Sequence, residues 1–302
     1  MKTFFDHTWR VIVGTIALYI IWIVSMTLSE SIIPSGLKTP DAPEALSAAM
    51  LFIVCFLHVL VLYIFVRNSR WYGIRLSLTV FFLVFIIQFF LSIIEAIWFN
   101  NSLNLPVSGQ KFLLLSGFLM SIAFSPLFVW ISGKMKSKGE EEIQGIDWFD
   151  LLSIESGIKI TILIVIAYPM LYNLAGYFIA WQFESVRLFY TESRDIEPFG
   201  TMLIENIRSG LYFFQIPRGL IWVLLALPVY YSIQGSYVRK GIIIGLLFAT
   251  LMNAQHLLPN PYFPSEVSFA HFIETYLSNF IWGFSIAWLL NWKPKKRISA
   301  VG

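Results

Sequence analysis

Long apolar runs separated by short polar turns repeat along the whole chain. Predominantly apolar stretches occupy roughly 10–28, 46–66, 76–98, 110–133, 158–181, 211–233, 240–258 and 270–291. Each approaches the roughly 20 residues that a helix needs to cross a bilayer core. None alternates apolar and polar residues as a membrane β-barrel does, and within lipid only helices and closed barrels satisfy their own backbone. The pattern predicts an all-α, polytopic integral membrane protein with eight transmembrane helices in one domain, 1–302. The first run closes on Met26-Thr27-Leu28-Ser29-Glu30. It is longer than a signal-peptide core and lacks small residues at a cleavage position, so it reads as the first span.

Two connections have length. The stretch 139–157 opens with Glu140-Glu141-Glu142 and carries Ile146, Phe149 and Leu152 at helical spacing. It predicts a short helix on the membrane surface at roughly 143–154. The stretch 182–208 mixes charges of both signs. Glu30-Ser31 recurs as Glu184-Ser185, and Gly73-Ile74 as Gly241-Ile242. That punctuation raises the expectation of two parallel four-helix repeats about an axis along the membrane normal.

Composition agrees with the pattern and narrows the function. The 302 residues are 57% hydrophobic and 13% charged, against about a quarter charged in soluble domains. This excludes a soluble domain, a disordered chain and a nucleic-acid-binding module; the expected partners are the bilayer and a lipid or small-molecule ligand. Cys55 is the only cysteine, which excludes an intrachain disulfide and a Cys-rich metal site. Most of the 21 lysines and arginines fall in alternate connections: Lys2 and Arg10, Arg67 to Arg75, Lys134 to Lys138, Arg239 and Lys240, and Lys293 to Arg297. Basic loops stay in the cytoplasm, so both termini are expected there and the protein in the plasma membrane. Trp9, Trp71, Trp130 and Trp292 are expected at the inner interface, Trp98 and Trp181 at the outer one.

Ionisable groups inside spans cost about 2.5–3.5 kcal/mol on insertion scales and call for a partner or a wet cavity. Here they gather in the outer halves of the helices. The third span carries Gln88, Ser92 and Glu95 on one face, and the sixth brings Arg208, Gln215 and Arg218. Asn253, Gln255 and His256 end the seventh; His271, Glu274, Ser278 and Asn279 begin the eighth. The inner halves, at Leu76–Val84, Val223–Val229, Gly241–Ala249 and Ile281–Leu290, hold no charge. The expectation is a polar intramembrane pocket open to the outer side above an apolar plug.

Three readings follow. In the first, a membrane-embedded enzyme acts on a lipid or membrane-delivered substrate. Glu95, His271 and Glu274 are its catalytic candidates, and Arg208, Arg218, Asn253 and Asn279 bind substrate. His256, His271 and Glu274 could hold a divalent metal, although a His–Glu hydrogen bond is the commoner use of such a pair and is favoured. Glu95 is either a base with a raised pKa or the salt-bridge partner of Arg218 or Arg208. In the second, a non-catalytic accessory, sensor or lipid-binding subunit uses the same residues as ligand contacts or helix glue. In the third, two four-span halves make a small-solute transporter, against which the apolar inner halves speak. His58 and Cys55 read as packing.

Reporter fusions that are active on one side of the membrane only should test the charge asymmetry. Fusions after Gly235 and at either terminus should report the cytoplasm, and a fusion after Asn104 the opposite side.

Overall fold

The computed structural model describes residues 2–136 and 154–292. Ten helices of eight or more residues form: α1 (Lys2–Ile32), α2 (Glu44–Asn68), α3 (Gly73–Trp98), α4 (Val107–Ile131), α5 (from Ile154 to Phe178), α6 (Glu184–Thr191), α7 (Phe199–Arg208), α8 (Leu211–Ser232), α9 (Tyr237–Asn253) and α10 (Ser265–Asn291). No β-strand forms among the described residues. Among the described residues seven helices (α1 to α5, α8 and α9) are long and apolar enough to cross a membrane. α10 has 27 residues, but Glu266, His271, Glu274 and Asn279 in its first half keep it outside that apolar set. The surface helix expected near 143–154 falls outside the described residues, apart from Ile154, which opens α5.

Burial ranks the helices. The apolar window of α9 is 67% buried, whereas those of α1 and α5 are 28% and 33% buried. Ile16, Ile20 and Val24 of α1 stay exposed, as side chains facing lipid would. The largest buried side chains include Trp222, Trp282, Phe65, Phe124, Phe128 and Phe248. His58 and Cys55 are fully buried; His58 bonds the Val54 carbonyl through Nδ1 at 2.7 Å, while its Nε2 has no partner.

Two local irregularities have a sequence cause. Pro169 in α5 has no amide hydrogen for the carbonyl four residues back. The preceding turn, Leu163–Ala167, widens into a π-helix, and the freed Val165 carbonyl accepts a hydrogen bond from the Tyr212 hydroxyl of α8 at 3.2 Å. In α3 the turn Leu83–Phe90 is also π-helical and presses Phe89 onto α4 at Gly117. A Cβ on Gly117 would lie 2.2 Å from the Phe89 ring.

The tightest helix contact joins α9 to α10. A Cβ on Gly283 would lie 2.7 Å from the Gly245 nitrogen, and one on Gly245 would lie 2.7 Å from the Phe280 carbonyl oxygen. Gly241, one turn before Gly245, faces Phe284 in the same way. Small residues at four-residue spacing let two membrane helices approach backbone to backbone, which favours dispersion and weak C–H···O contacts where lipid supplies no hydrophobic drive.

At the end of the bundle rich in Lys and Arg, cations lock the interhelical links. Arg10 donates to the Ile131 carbonyl at 2.9 Å, and Lys134 to the Ser69 carbonyl at 2.8 Å. The two links on either side of them meet in an antiparallel bridge between Ser69 and Ile233. The Arg75 guanidinium lies 3.6 Å from the Trp71 ring centroid and the Lys240 ammonium 3.9 Å from that of Tyr230. Trp71 is therefore buried under a cation, not an interfacial anchor as expected; Trp9, Trp98, Trp130 and Trp292 are exposed, as anchors would be.

Gly283→Leu and Gly245→Leu should each destabilise the protein by at least about 1–3 kcal/mol, the cost of overpacking a tight contact. Gly157→Ala, whose new methyl would meet nothing within 4 Å, should leave stability unchanged or raise it by up to about 1 kcal/mol. Thermal unfolding of the purified protein in one detergent checks both.

Candidate functional site

Five of the polar residues singled out from the sequence, Glu95, Arg218, Glu274, Ser278 and Asn279, converge on one recess. It is lined by Glu95 from α3, Tyr168, Leu171 and Tyr172 from α5, and Arg218 from α8. Met252 of α9 and Glu274, Thr275, Ser278 and Asn279 of α10 complete it. Its empty space, counted out to the open mouth, is ≈ 350 Å³. At about 1.5 Å per residue, Glu95 lies about 5 Å from the end of α3, whereas Asn279 lies about 20 Å along α10.

Arg218 fixes one wall. Its Nη1 and Nη2 donate to the two carboxylate oxygens of Glu95 at 2.9 and 2.6 Å, a bidentate pair. Nη1 also donates to Gln215 Oε1 at 2.8 Å, one turn away on α8. Arg218 is 2% exposed, while the Glu95 side chain keeps 24% exposure and faces the recess. The next residue, Gly219, allows α5 to come close: a Cβ there would lie 3.1 Å from the Tyr168 ring. That approach sets Tyr172 beside the pair, with its hydroxyl donating to Glu95 Oε1 at 3.4 Å.

The opposite wall is a relay on α10. His271 and Glu274 are one turn apart, with Nδ1 3.0 Å from Glu274 Oε2. The Tyr190 hydroxyl of α6 reaches His271 Nε2 at 3.1 Å. Burial, with smaller contributions from Glu95 and Glu274, pushes the Tyr190 hydroxyl well above its ordinary pKa and keeps it a donor. The carboxylate of Glu274 makes Nδ1 of His271 the donor in their hydrogen bond. Tyr190 thus orients His271, and His271 donates to Glu274.

Below the recess the polar lining ends. Trp222 donates to the Tyr168 hydroxyl at 2.9 Å and packs on Phe248 with ring centroids 4.5 Å apart. Trp282 lies 5.0 Å from Tyr168 by the same measure. Val223, Ala226, Val229 and Ile286 continue this buried apolar packing.

Several expectations change. Arg208 ends α7, a separate helix with no buried residue, and the chain turns at Gly210 (φ +87°) before α8 begins. It is exposed and does not share the face of Gln215 and Arg218. Asn253 is fully buried but outside the recess; it donates to the Ala249 carbonyl and accepts from Thr275, which ties α9 to α10. His256 lies with its ring centroid 6.3 Å from that of His271 and against Phe263. Among the described residues no three His, Cys, Asp or Glu side chains converge to hold a metal ion, so His256, His271 and Glu274 do not form the metal set considered above. Of the two partners weighed for Glu95, Arg218 is the one that meets it.

Tyr168, Tyr172 and Tyr190 carry no signal of their own in the sequence. The spacing of Tyr168, Tyr172 and Gly176 at four residues does mark one face of α5, toward α8 and α10. No protein-family model, curated protein or solved structure matches this chain.

Removing one partner of the ion pair should have unequal costs. Glu95→Gln leaves a charge on Arg218 at 2% exposure and should destabilise by about 3–5 kcal/mol, the range for a broken buried pair. Arg218→Met leaves the charge on the partly exposed Glu95 and should cost less. The double substitution should recover part of the loss, as thermal unfolding of the three variants would show.

Proposed function

We propose that this chain is an eight-span membrane enzyme, with α10 as the eighth span, acting on a lipid or a membrane-delivered substrate. Glu274, with His271 behind it, is the proton-transfer group. Glu95 and Arg218 form a fixed polar wall that positions the substrate, and Asn279 is a further contact. The observation that carries this reading is the pairing of two carboxylates on one recess with different partners. One is paired with a guanidinium, the other with an imidazole. A carboxylate in hydrogen-bond contact with an imidazole beside an open space can exchange a proton with a bound group.

The orientation proposed is with both termini in the cytoplasm, in the plasma membrane, and the recess opening to the far side. The concentration of Lys and Arg at the opposite end of the bundle supports it. A division into two four-span halves rests on the recurring punctuation of the sequence alone, since α9 packs on α2 and α3 across the halves as well as on α10. The apolar packing under Trp222 and Trp282 weighs against a transport path.

A second reading, a non-catalytic lipid-binding or accessory subunit, is favoured by the closure of Glu95, Arg218 and Gln215 upon each other. Two substitutions separate the readings. In an enzyme, Glu274→Gln and His271→Ala should leave the midpoint of thermal unfolding within about 2–4 °C of the wild type, or raise it. Turnover of vesicles made from total membrane lipid of the source organism, followed by mass spectrometry, should fall at least about 100-fold. A large loss of thermal stability in both variants, with no product from the wild type, would make the relay structural and remove the enzymatic reading.

A further inference from the structure

The recess is described above only as polar; its donors and acceptors also specify what it takes. The geometry points to a protonated primary amine as the group that enters, held by Glu274, Asn279 and Glu95. This rests on the reading of the recess as a binding site and adds the ligand's chemistry.

The charge balance is the first reason. The residues that line the recess carry two carboxylates, Glu95 and Glu274, against one guanidinium, Arg218. Three of the five N–H donors of Arg218 are engaged by Glu95 and Gln215, and its Nε is buried. An anion would have to displace Glu95 from a bidentate pair 2.6–2.9 Å long and leave that carboxylate uncompensated. Arg218 is therefore not the anion-binding group that its position in the sequence suggests.

The second reason is the supply of empty acceptors. Asn279 is 8% exposed, lines the recess and has no hydrogen-bond partner among the described residues. Glu274 is 5% exposed; its Oε2 takes His271, while no protein group donates to its Oε1, which faces the α5 backbone at Gly176. Neither the Asn279 amide nor Glu274 Oε1 is sealed within the packing, so both stay open to the recess they line, where a ligand or water can bond them. Ser278 donates to the Thr275 carbonyl at 3.3 Å and keeps its lone pairs free for a donor. A primary ammonium brings three donors and a positive charge, which matches the Glu274 oxygen, the Asn279 carbonyl and the exposed edge of Glu95. A quaternary ammonium carries the charge but no donor, and the small recess leaves the rest of the molecule at the mouth.

The amine could be carried by a lipid headgroup or be free, and the full-length protein distinguishes the two. In nanodiscs of phosphatidylethanolamine, phosphatidylcholine or phosphatidylglycerol, native mass spectrometry should find phosphatidylethanolamine retained at least about tenfold over the others, the ratio expected from one charge-assisted hydrogen bond. Should free ethanolamine raise the unfolding temperature in detergent while phosphatidylethanolamine is not retained, the same chemistry is met by a soluble amine. Glu274→Gln should reduce either effect about tenfold, and Asn279→Asp, which keeps the side-chain shape and adds a carboxylate, should strengthen it. Preferential retention of phosphatidylglycerol, equal retention of phosphatidylcholine, or stabilisation by sodium ions equal to that by ethanolamine would overturn the amine assignment while leaving a binding recess in place. No retained ligand of any charge, together with thermal destabilisation by Glu274→Gln, would overturn both the assignment and the recess as a site.

Discussion

Arg218 stands in the interior of a helix bundle at 2% exposure, where a guanidinium is tolerated only with compensation close at hand. Compensation comes from Glu95 on a helix far away in the chain, in bidentate geometry, and from Gln215 one turn back on α8 itself. This requirement ties α3 to α8. It also constrains α5, because Tyr172 and Tyr168 occupy the space beside the pair, and Gly219 is the point at which α5 can approach α8 closely enough to put them there. The recess is the space left when those contacts are satisfied and α10 closes the remaining side.

α10 is held by a different device. Gly241, Gly245 and Gly283 let α9 and α10 meet backbone to backbone, and the Thr275 hydroxyl reaches Asn253 across the same interface. That contact lets a helix with two glutamates, a histidine and an asparagine in its first half remain packed in the bundle. It also gives the His271–Glu274 pair a rigid support, as does Tyr190 from the connection between α5 and α8. The proposed acid–base pair and two of the proposed amine acceptors, Glu274 and Asn279, share this one helix, so their relative placement is fixed by helix geometry, whereas Glu95 and Arg218 reach it through interhelical packing.

The basic end of the bundle works on separate terms. Its cations bond backbone carbonyls and lie over aromatic rings, which fastens the links between helices. Charge at that end thus acts in the structure itself, beyond any part it takes in setting orientation.

What the amino-acid order determined by itself was the membrane-helical class, the approximate limits of the helices and the crowding of polar residues toward one end. These follow from local rules: the length of an apolar run and the period of a helix act within single segments. Glu95 and Arg218 were both recognisable as charges needing partners for the same reason. Only the tertiary structure decided that Arg218 and not Arg208 takes Glu95, because Gly210 at φ +87° puts Arg208 on another helix. Likewise Asn253 became a tie between helices, His256 was left out of the relay, and Tyr190 entered it from a connection with no periodicity to mark it. Partnership among side chains distant in sequence depends on how closely helices can approach, which rests on a few glycines and one proline whose effect appears only when a second helix is present to meet them.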